Sequence, residues 1–260
     1  MGGRRHLILL RHGESAWNAA DRFAGWVDVP LTDVGRAEAH RSGELIRQAG
    51  VLPHVVHTSL LRRAVATADV ALNAAERHWI PAHRSWRLNE RHYGDLQGRT
   101  RETVRAEVGE ATFTLWRRSY HIAPPAIRAD SVFSQAGDPR YRELGIDVPS
   151  AESLQDVQSR LLPYWASAIV PDLVLGRTAL VVSHGNALRA LIMHLDRLTA
   201  DDIGAVNIPT GIPIRYDLDD ALRPIVPGGV VLEPTCAYQA RSRASNRSST
   251  TALGSVTIAL

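Results

Sequence analysis

Short apolar runs of strand length alternate along this chain with longer segments of helical period. The runs with the clearest flanks cover residues 6–10, 55–58 and 178–182. Apolar residues recur every three or four positions in segments 60–75 and 154–169, and Thr32 is placed to cap a helix over 33–49. Alternation of this kind is typical of α/β proteins, so the sequence predicts an α/β domain with a largely parallel sheet.

Two stretches depart from this regular alternation. Pro163 falls inside the helical pattern of 154–169, which predicts a bend or a break there. Pro124-Pro125, Gly137-Asp138-Pro139 and Pro149 interrupt every periodic reading of residues 119–150. A long irregular insertion in a compact domain is either a loop that covers a site or an excursion over the surface, and the sequence leaves both open.

Every one of the 30 basic residues is an arginine, so the chain contains no lysine. This excludes Schiff-base chemistry, a lysine nucleophile and the lysine of a Walker-type phosphate loop. The formal charge of +3 arises at the C-terminal end, because 26 Arg balance 26 acidic residues over positions 1–220. A neutral body argues against a nucleic-acid partner, and no apolar run reaches the roughly 18 residues that a membrane helix needs.

The C-terminal end differs in composition from the rest. From Cys236 onward the chain holds five Ser, three Thr, three Arg and no acidic residue. We therefore expect one catalytic domain over 1–235 and a disordered tail over 236–260. Cys236 is the only cysteine, so no internal disulfide can form, which favours a reducing compartment such as the cytoplasm.

The most informative feature is a histidine followed by a glycine at the ends of two predicted strands. One motif is Arg-His-Gly at residues 11–13, and the other is Ser-His-Gly-Asn at 183–186. Ligands of an open parallel sheet bind beyond the carboxyl ends of its strands, so both histidines are expected at one site. A glycine beside each imidazole lets a ligand approach the backbone, and the helix predicted after residue 186 favours an anion at its N-terminus.

His12 and His184 each have a plain alternative, as polar side chains hydrogen-bonded at a strand end. Together with Arg11 and Arg63 they indicate a specific chemistry. An imidazole with one unprotonated nitrogen is a nucleophile toward phosphorus, and two guanidiniums neutralise phosphoryl oxygens. A metal site is the competing interpretation, and it is disfavoured because no neighbouring histidine or acidic cluster completes three or four ligands.

Longer motifs surround these residues. They are Leu-Arg-His-Gly-Glu-Ser-Ala-Trp-Asn at 10–18, Arg-Phe-Ala-Gly-Trp at 22–26, Thr-Ser-Leu-Leu-Arg-Arg-Ala at 58–64, Leu-Asn-Glu-Arg-His-Tyr-Gly at 88–94, Trp-Arg-Arg at 116–118 and Asn-Ile-Pro-Thr-Gly-Ile-Pro at 207–213. With these motifs in this order, the chain resembles the cofactor-dependent phosphoglycerate mutases, a family of the histidine phosphatase superfamily. The resemblance implies a three-layer α/β fold, with a mostly parallel central sheet and helices on both faces.

The resemblance also implies roles for particular residues. It makes His12 the phosphorylated nucleophile and Glu90 the general acid and base, which protonates the departing oxygen and deprotonates the incoming hydroxyl. Arg11, Arg63 and His184 would hold the transferring phosphoryl group. The residues implied to bind substrate are Asn18, Ala24, Gly25, Tyr93, Arg101, Arg117, Arg118, Gly185 and Asn186. No metal is implied, because guanidiniums and imidazole supply the charge stabilisation.

Two positions and one segment depart from the family pattern. Ala24 stands where the family commonly has Thr or Ser, so one hydroxyl contact to the substrate is missing. Arg101 stands where the family usually has a lysine, and arginine replaces a point charge by a fork. After about residue 224 the usual family ending, which in relatives can fold over the site, is not recognisable.

Three functions are therefore considered. The leading one is interconversion of 3-phosphoglycerate and 2-phosphoglycerate in glycolysis and gluconeogenesis, through phospho-His12 primed by 2,3-bisphosphoglycerate. The second is a phosphatase that passes the phosphoryl group to water, favoured by Ala24 and the altered ending. The third, a non-catalytic phospholigand-binding protein, is disfavoured because His12, Glu90 and His184 are all present. The expected partners are small-molecule phosphoglycerates, with no nucleic acid and no membrane, and the family implies a homodimer or homotetramer.

Overall fold

A six-stranded sheet forms the centre of the protein in a computed structural model that describes residues 5–232. Its strands are β1 (Arg5–Arg11), β2 (Val55–Thr58), β3 (Ala82–Arg84), β4 (Ala179–Ser183), β5 (Pro213–Leu218) and β6 (Val230–Val231), in the order β3-β2-β4-β1-β5-β6. Pairings among β3, β2, β4 and β1 are parallel, whereas β5 and β6 pair antiparallel. The predicted mostly parallel sheet is confirmed, and the tail predicted over 236–260 lies outside the described residues.

The helices are α1 (Ala16–Ala19), α2 (Asp33–Gln48), α3 (Arg62–Ala74), α4 (Arg101–Arg118), α5 (Pro139–Arg142), α6 (Leu154–Tyr164), α7 (Val170–Val174) and α8 (Gly185–Asp196). Short 3-10 turns occupy Trp86–Leu88, Gly94–Leu96 and Asp202–Gly204. Within residues 5–232, no helix combines the length and apolarity needed to span a membrane.

Local sequence explains where these helices begin and end. The Thr32 side chain accepts a hydrogen bond from Gly35 N at 3.0 Å and so caps α2, as predicted. Leu61 is still extended, with φ −84° and ψ 129°, so α3 starts two residues later than the predicted residue 60. The predicted interruption at Pro163 is present, because α6 gives way to a π-helical turn at Trp165–Ile169.

Strand β1 is apolar at successive positions because both of its faces are covered. Leu7 and Leu9 pack into a core that α6 and α8 complete, while Ile8 and Leu10 pack into a second core with α2 and α3. The layers are therefore helix, sheet and helix, as the resemblance implies, and the carboxyl ends of β1 and β4 lie side by side between them.

Candidate active site

The two His-Gly motifs meet at one edge of the sheet. β1 and β4 are parallel neighbours with Arg11 opposite Ser183 in the register, so the residues that follow each strand are adjacent. The backbone N of His12 donates to the Ser183 carbonyl at 3.0 Å. The rings of His12 and His184 lie edge to face with centroids 4.9 Å apart. The sequence therefore predicted this pairing correctly from strand placement alone.

His12 is held as a neutral imidazole whose Nε2 lone pair is directed toward Arg63. Its Nδ1 lies 2.7 Å from the Gly13 carbonyl, which only accepts, so Nδ1 carries the hydrogen and Nε2 does not. Arg63 Nε donates to that Nε2 at 3.2 Å. Burial, followed by the charges of Arg63 and Arg11, holds the pKa of His12 well below its usual range. An Nε2 of this kind can attack an electrophile without first losing a proton at neutral pH, once a ligand replaces the Arg63 hydrogen bond.

Arg63 is fixed by the loop that forms the opposite wall of the pocket. Its Nη2 donates to the Gly25 carbonyl at 2.7 Å and its Nη1 to the Val27 carbonyl at 2.9 Å. Burial lowers the pKa of Arg63 to about 10, which leaves the guanidinium charged at neutral pH. Gly25 has φ +52°, and a Cβ there would lie 2.1 Å from Gln97 Oε1, so this carbonyl position requires glycine.

His184 and Arg11 lie beside His12, and each has a buried ring or guanidinium nitrogen without a hydrogen-bond partner within residues 5–232. His184 is fully buried, and Ser59 Oγ lies 2.8 Å from its Nε2. Among the described residues, His184 Nδ1 and Arg11 Nε have no hydrogen-bond partner. Arg11 Nη1 donates to the Ile208 carbonyl at 2.7 Å, which fixes the guanidinium. A buried guanidinium N–H without a partner, next to the His12 ring, fits a ligand with anionic oxygens.

Glu90 is the only carboxylate among the described residues that line this pocket. Its Oε1 accepts from Arg91 N at 2.8 Å and from Asn186 N, in the first turn of α8, at 3.1 Å. Trp26 Nε1 donates to the Glu90 carbonyl at 2.6 Å. Both its side chain and its main chain are therefore fixed by hydrogen bonds, and the residue is 9% exposed.

One pocket brings the predicted residues together. Of the predicted site residues, those that line it are Arg11, His12, Asn18, Ala24, Gly25, Arg63, Glu90, Tyr93, Arg101, Arg117, Arg118, Gly185 and Asn186. His184 does not line it and instead packs against the ring of His12. Tyr93 OH accepts from Asn186 Nδ2 at 2.9 Å, and the paired arginines come from the last turn of α4.

Sequence reasoning missed five residues that also line the pocket. They are Arg22, Phe23, Arg189, Asn207 and Ile208. Four of them lie in the motifs at 22–26 and 207–213, which carried no individual assignments. Arg189 follows Asn186 by three residues on α8 and donates to its Oδ1 at 2.9 Å, so helical spacing could have found it.

The pocket carries a large excess of positive charge. Among the described residues that line it are seven arginines and a single carboxylate, Glu90. Arg101 Nε and Arg189 Nε also have no partner within residues 5–232. The same part of the chain holds no group of three or more His, Cys, Asp or Glu side chains that could bind a metal ion. These donors fit a small ligand with several negative charges.

The irregular insertion 119–150 supports the site from behind. None of its residues lines the pocket. Gln135 Oε1 lies 2.9 Å from His92 Nε2, Tyr141 OH accepts from Asn89 Nδ2 at 3.0 Å, and Phe133 O accepts from Gln97 Nε2 at 2.8 Å. The insertion therefore buttresses the loop that carries Glu90, and it does not cover the pocket in this structure.

Comparison with known proteins agrees with this geometry. The model of the histidine phosphatase superfamily (branch 1) matches residues 7–135 and 130–220, so the protein belongs to that superfamily. A 2,3-bisphosphoglycerate-dependent phosphoglycerate mutase of a Nocardioides species is 58% identical over 241 residues, covering 93% of this chain and 98% of that protein. A mutase of the same name from Mycobacterium leprae is 57% identical over 243 residues, covering 94% and 98%. The chain belongs to the 2,3-bisphosphoglycerate-dependent phosphoglycerate mutase family.

Solved structures extend the likeness to phosphatases. A mycobacterial glucosyl-3-phosphoglycerate phosphatase is 26% identical to this chain, with a TM-score of 0.64 over 82% of this chain and 90% of that one. The fold is therefore shared between a mutase family and a phosphatase. Which of the two reactions takes place depends on the residues of the pocket and not on the fold.

Proposed function

We propose that this protein interconverts 3-phosphoglycerate and 2-phosphoglycerate through a phosphohistidine at His12. The observation that carries the proposal is a neutral imidazole that accepts a hydrogen bond from Arg63 and shares with Glu90 a pocket with a large cationic excess. Mutases more than half identical over nearly the whole chain support the same reaction. The names of these relatives also imply a 2,3-bisphosphoglycerate primer, which when bound supplies the phosphoryl group that first charges His12.

Transfer needs one nucleophile and one proton carrier. Nε2 of His12 forms the new P–N bond while the P–O bond to the sugar acid breaks. Glu90 gives its proton to the departing oxygen, and in the reverse direction it takes a proton from the attacking hydroxyl. Arg11 and Arg63, which line the pocket, stabilise the phosphoryl oxygens, and His184 packs against the ring of the attacking imidazole. No step requires a metal.

The outer arginines account for substrate binding and retention. Arg101, Arg117 and Arg118, with Tyr93, line the pocket where the carboxylate and the second phosphate of a bisphosphate would lie. Asn18 Oδ1 is occupied by Ser15 N at 3.1 Å, which leaves its amide nitrogen for the ligand. Retention matters, because a mutase must return the phosphoryl group before the doubly phosphorylated intermediate leaves.

A phosphatase reaction is the second candidate, and Ala24 favours it. The alanine at the pocket wall removes one hydroxyl that would hold the substrate. Looser retention gives water more time to reach phospho-His12. Phosphate release measured beside isomerisation on the same preparation separates the two activities, and release that dominates by far would reject the mutase.

A coupled assay with and without added 2,3-bisphosphoglycerate tests the proposal. The dephosphorylated protein should be inactive until the primer is added, and it should then carry an acid-labile, alkali-stable phosphoryl group. His12→Ala should have neither activity nor label, whereas His78→Gln, at an exposed histidine, should keep both. Full activity of a dephosphorylated preparation without primer would contradict the proposal.

We also propose a cytoplasmic location, because the substrates belong to glycolysis and the only cysteine favours a reducing compartment. A homodimer or homotetramer remains the prediction from the family, and light scattering on the purified chain measures it.

A further inference from the structure

The main chain around Glu90 is held by an arginine that lies outside the pocket. Arg160, on α6, is 7% exposed and points its guanidinium at the carbonyls of the segment before and at Glu90. Its Nη2 donates to Asn89 O at 3.0 Å and to Glu90 O at 2.9 Å, and its Nη1 donates to Arg87 O at 2.8 Å. A single planar side chain thus fixes three carbonyls within the four residues that end at Glu90.

Glu152 completes this arrangement from the other side of Glu90. Its Oε1 accepts from Arg160 Nε at 2.6 Å and its Oε2 from Arg160 Nη2 at 3.0 Å. The same Oε2 accepts from His92 N at 2.8 Å, while Glu152 N donates to His92 O at 2.9 Å. The ion pair therefore hydrogen-bonds to the main chain on both sides of Glu90, at Asn89 and at His92.

Stability alone is a weak reason for such a pair. Both side chains are almost fully buried, and burial of two charges costs about as much free energy as their attraction returns. Neither residue lines the pocket. The pair does fix the main-chain carbonyl of Glu90. The position of this main chain in turn determines where the Glu90 carboxyl lies, and that carboxyl accepts a hydrogen bond from Asn186 N.

We propose that Arg160 and Glu152 are positioning residues that hold the Glu90 carboxyl within proton-transfer distance of the departing oxygen. This inference rests on the proposed phosphoryl transfer. It concerns one step of that reaction, protonation of the leaving oxygen, and leaves the attack of His12 Nε2 on phosphorus to the residues already described.

Leaving groups of different basicity separate these two roles. When 2,3-bisphosphoglycerate charges His12, the P–O bond breaks to a strongly basic oxygen that needs the proton of Glu90. When dinitrophenyl phosphate charges His12, the P–O bond breaks to a phenolate that leaves without a proton. A variant that misplaces only the proton carrier therefore slows the first reaction and spares the second.

The experiment measures single-turnover phosphorylation of His12 by both donors. Arg160→Lys keeps the positive charge but loses the planar guanidinium that donates to several acceptors at once. Glu152→Gln keeps the shape of the side chain but removes the negative charge that pairs with Arg160. We expect Arg160→Lys to slow charging by bisphosphoglycerate about 100-fold while charging by the aryl phosphate changes less than about threefold, with Glu152→Gln intermediate. Glu90→Gln provides the reference profile, because it lacks the proton altogether.

A matched control distinguishes positioning from general loosening. Leu161 is the next residue on α6 and is buried in the core, and its apolar side chain cannot hydrogen-bond to the carbonyls of residues 87–90 as Arg160 does. Leu161→Ala should slow the phosphorylation of His12 by the same factor with both donors, or leave both rates unchanged. Equal losses with both donors in Arg160→Lys and Glu152→Gln would overturn the positioning role, and so would unchanged rates in both. If the unaltered protein is charged by neither donor, the proposed function itself fails.

Discussion

His92 makes a quantitative prediction possible, because it is a fully buried imidazole two residues from Glu90. Gly94 N donates to its Nδ1 at 3.1 Å, so its Nε2 carries the hydrogen and donates to Gln135 Oε1 at 2.9 Å. A second proton would have to sit on Nδ1, against the N–H of Gly94. Burial lowers the pKa of His92 from 6.5 to about 4, although the charge of Glu152 opposes the shift.

The sign and size of the effect follow from this shift. Between the two pKa values the unfolded chain binds more protons than the folded protein. The contribution of His92 to the free energy of unfolding is therefore present above the pKa of the unfolded chain and is lost as the pH falls toward the pKa of the folded protein. With the unfolded value of 6.5 and the folded value of about 4, the loss between about pH 7 and about pH 5 is about 1.8 kcal/mol.

Urea unfolding, followed by tryptophan fluorescence at both pH values, tests this. The protein with His92→Gln should lose about 1.8 kcal/mol less than the unaltered protein on acidification, whatever the substitution costs at neutral pH. His78→Gln shows what removal of an exposed histidine does. Parallel pH curves for the His92 variant and the unaltered protein would refute the reasoning that burial keeps this imidazole neutral.

Three further predictions concern the pocket. Ala24→Ser restores a hydroxyl at its wall and should lower KM about fivefold with kcat little changed, because a hydrogen bond contributes about 1 kcal/mol; steady-state kinetics measure both. Gly13→Ala should prevent folding, since the new Cβ would lie 2.1 Å from the Gly35 carbonyl oxygen, and circular dichroism checks this. A bisphosphate at about one hundred times its Kd should stabilise the fold by about 2.7 kcal/mol in urea unfolding. Arg11→Met should reduce that gain, because the buried donors of Arg11 then disappear.

The sequence was most informative for strands that are buried on both faces of the sheet. β1, β2 and β4 stand out as apolar runs because they lie in the middle of the sheet, and the histidines that follow β1 and β4 could be placed from them. β3, β5 and β6 lie toward the edges and lack such runs, so periodicity did not find them. α8 begins at Gly185, before the predicted start, because His184 is the extended residue that precedes it.

Contacts made by polar residues at long sequence separation could not be predicted in this way. Arg160 looks like an ordinary polar position of an amphipathic helix, yet its guanidinium is buried 70 residues away in sequence from the carbonyl of Glu90. Asn207 and Ile208 reach the pocket through a loop whose path depends on the whole sheet. Motif resemblance supplied most of the residues that line the pocket, and it left out those, such as Arg160, that hydrogen-bond to the main chain outside it.

The spacing of the two site imidazoles is a property of the sheet. Their centroids are 4.9 Å apart, close to the distance of about 4.8 Å between neighbouring strands, and β1 and β4 are buried on both faces. Central strands of this kind open only when the whole domain unfolds. The amides of β1 and β4 should therefore be among the last to exchange with deuterium. On heating, the His12 and His184 rings should separate at the same temperature at which the domain unfolds.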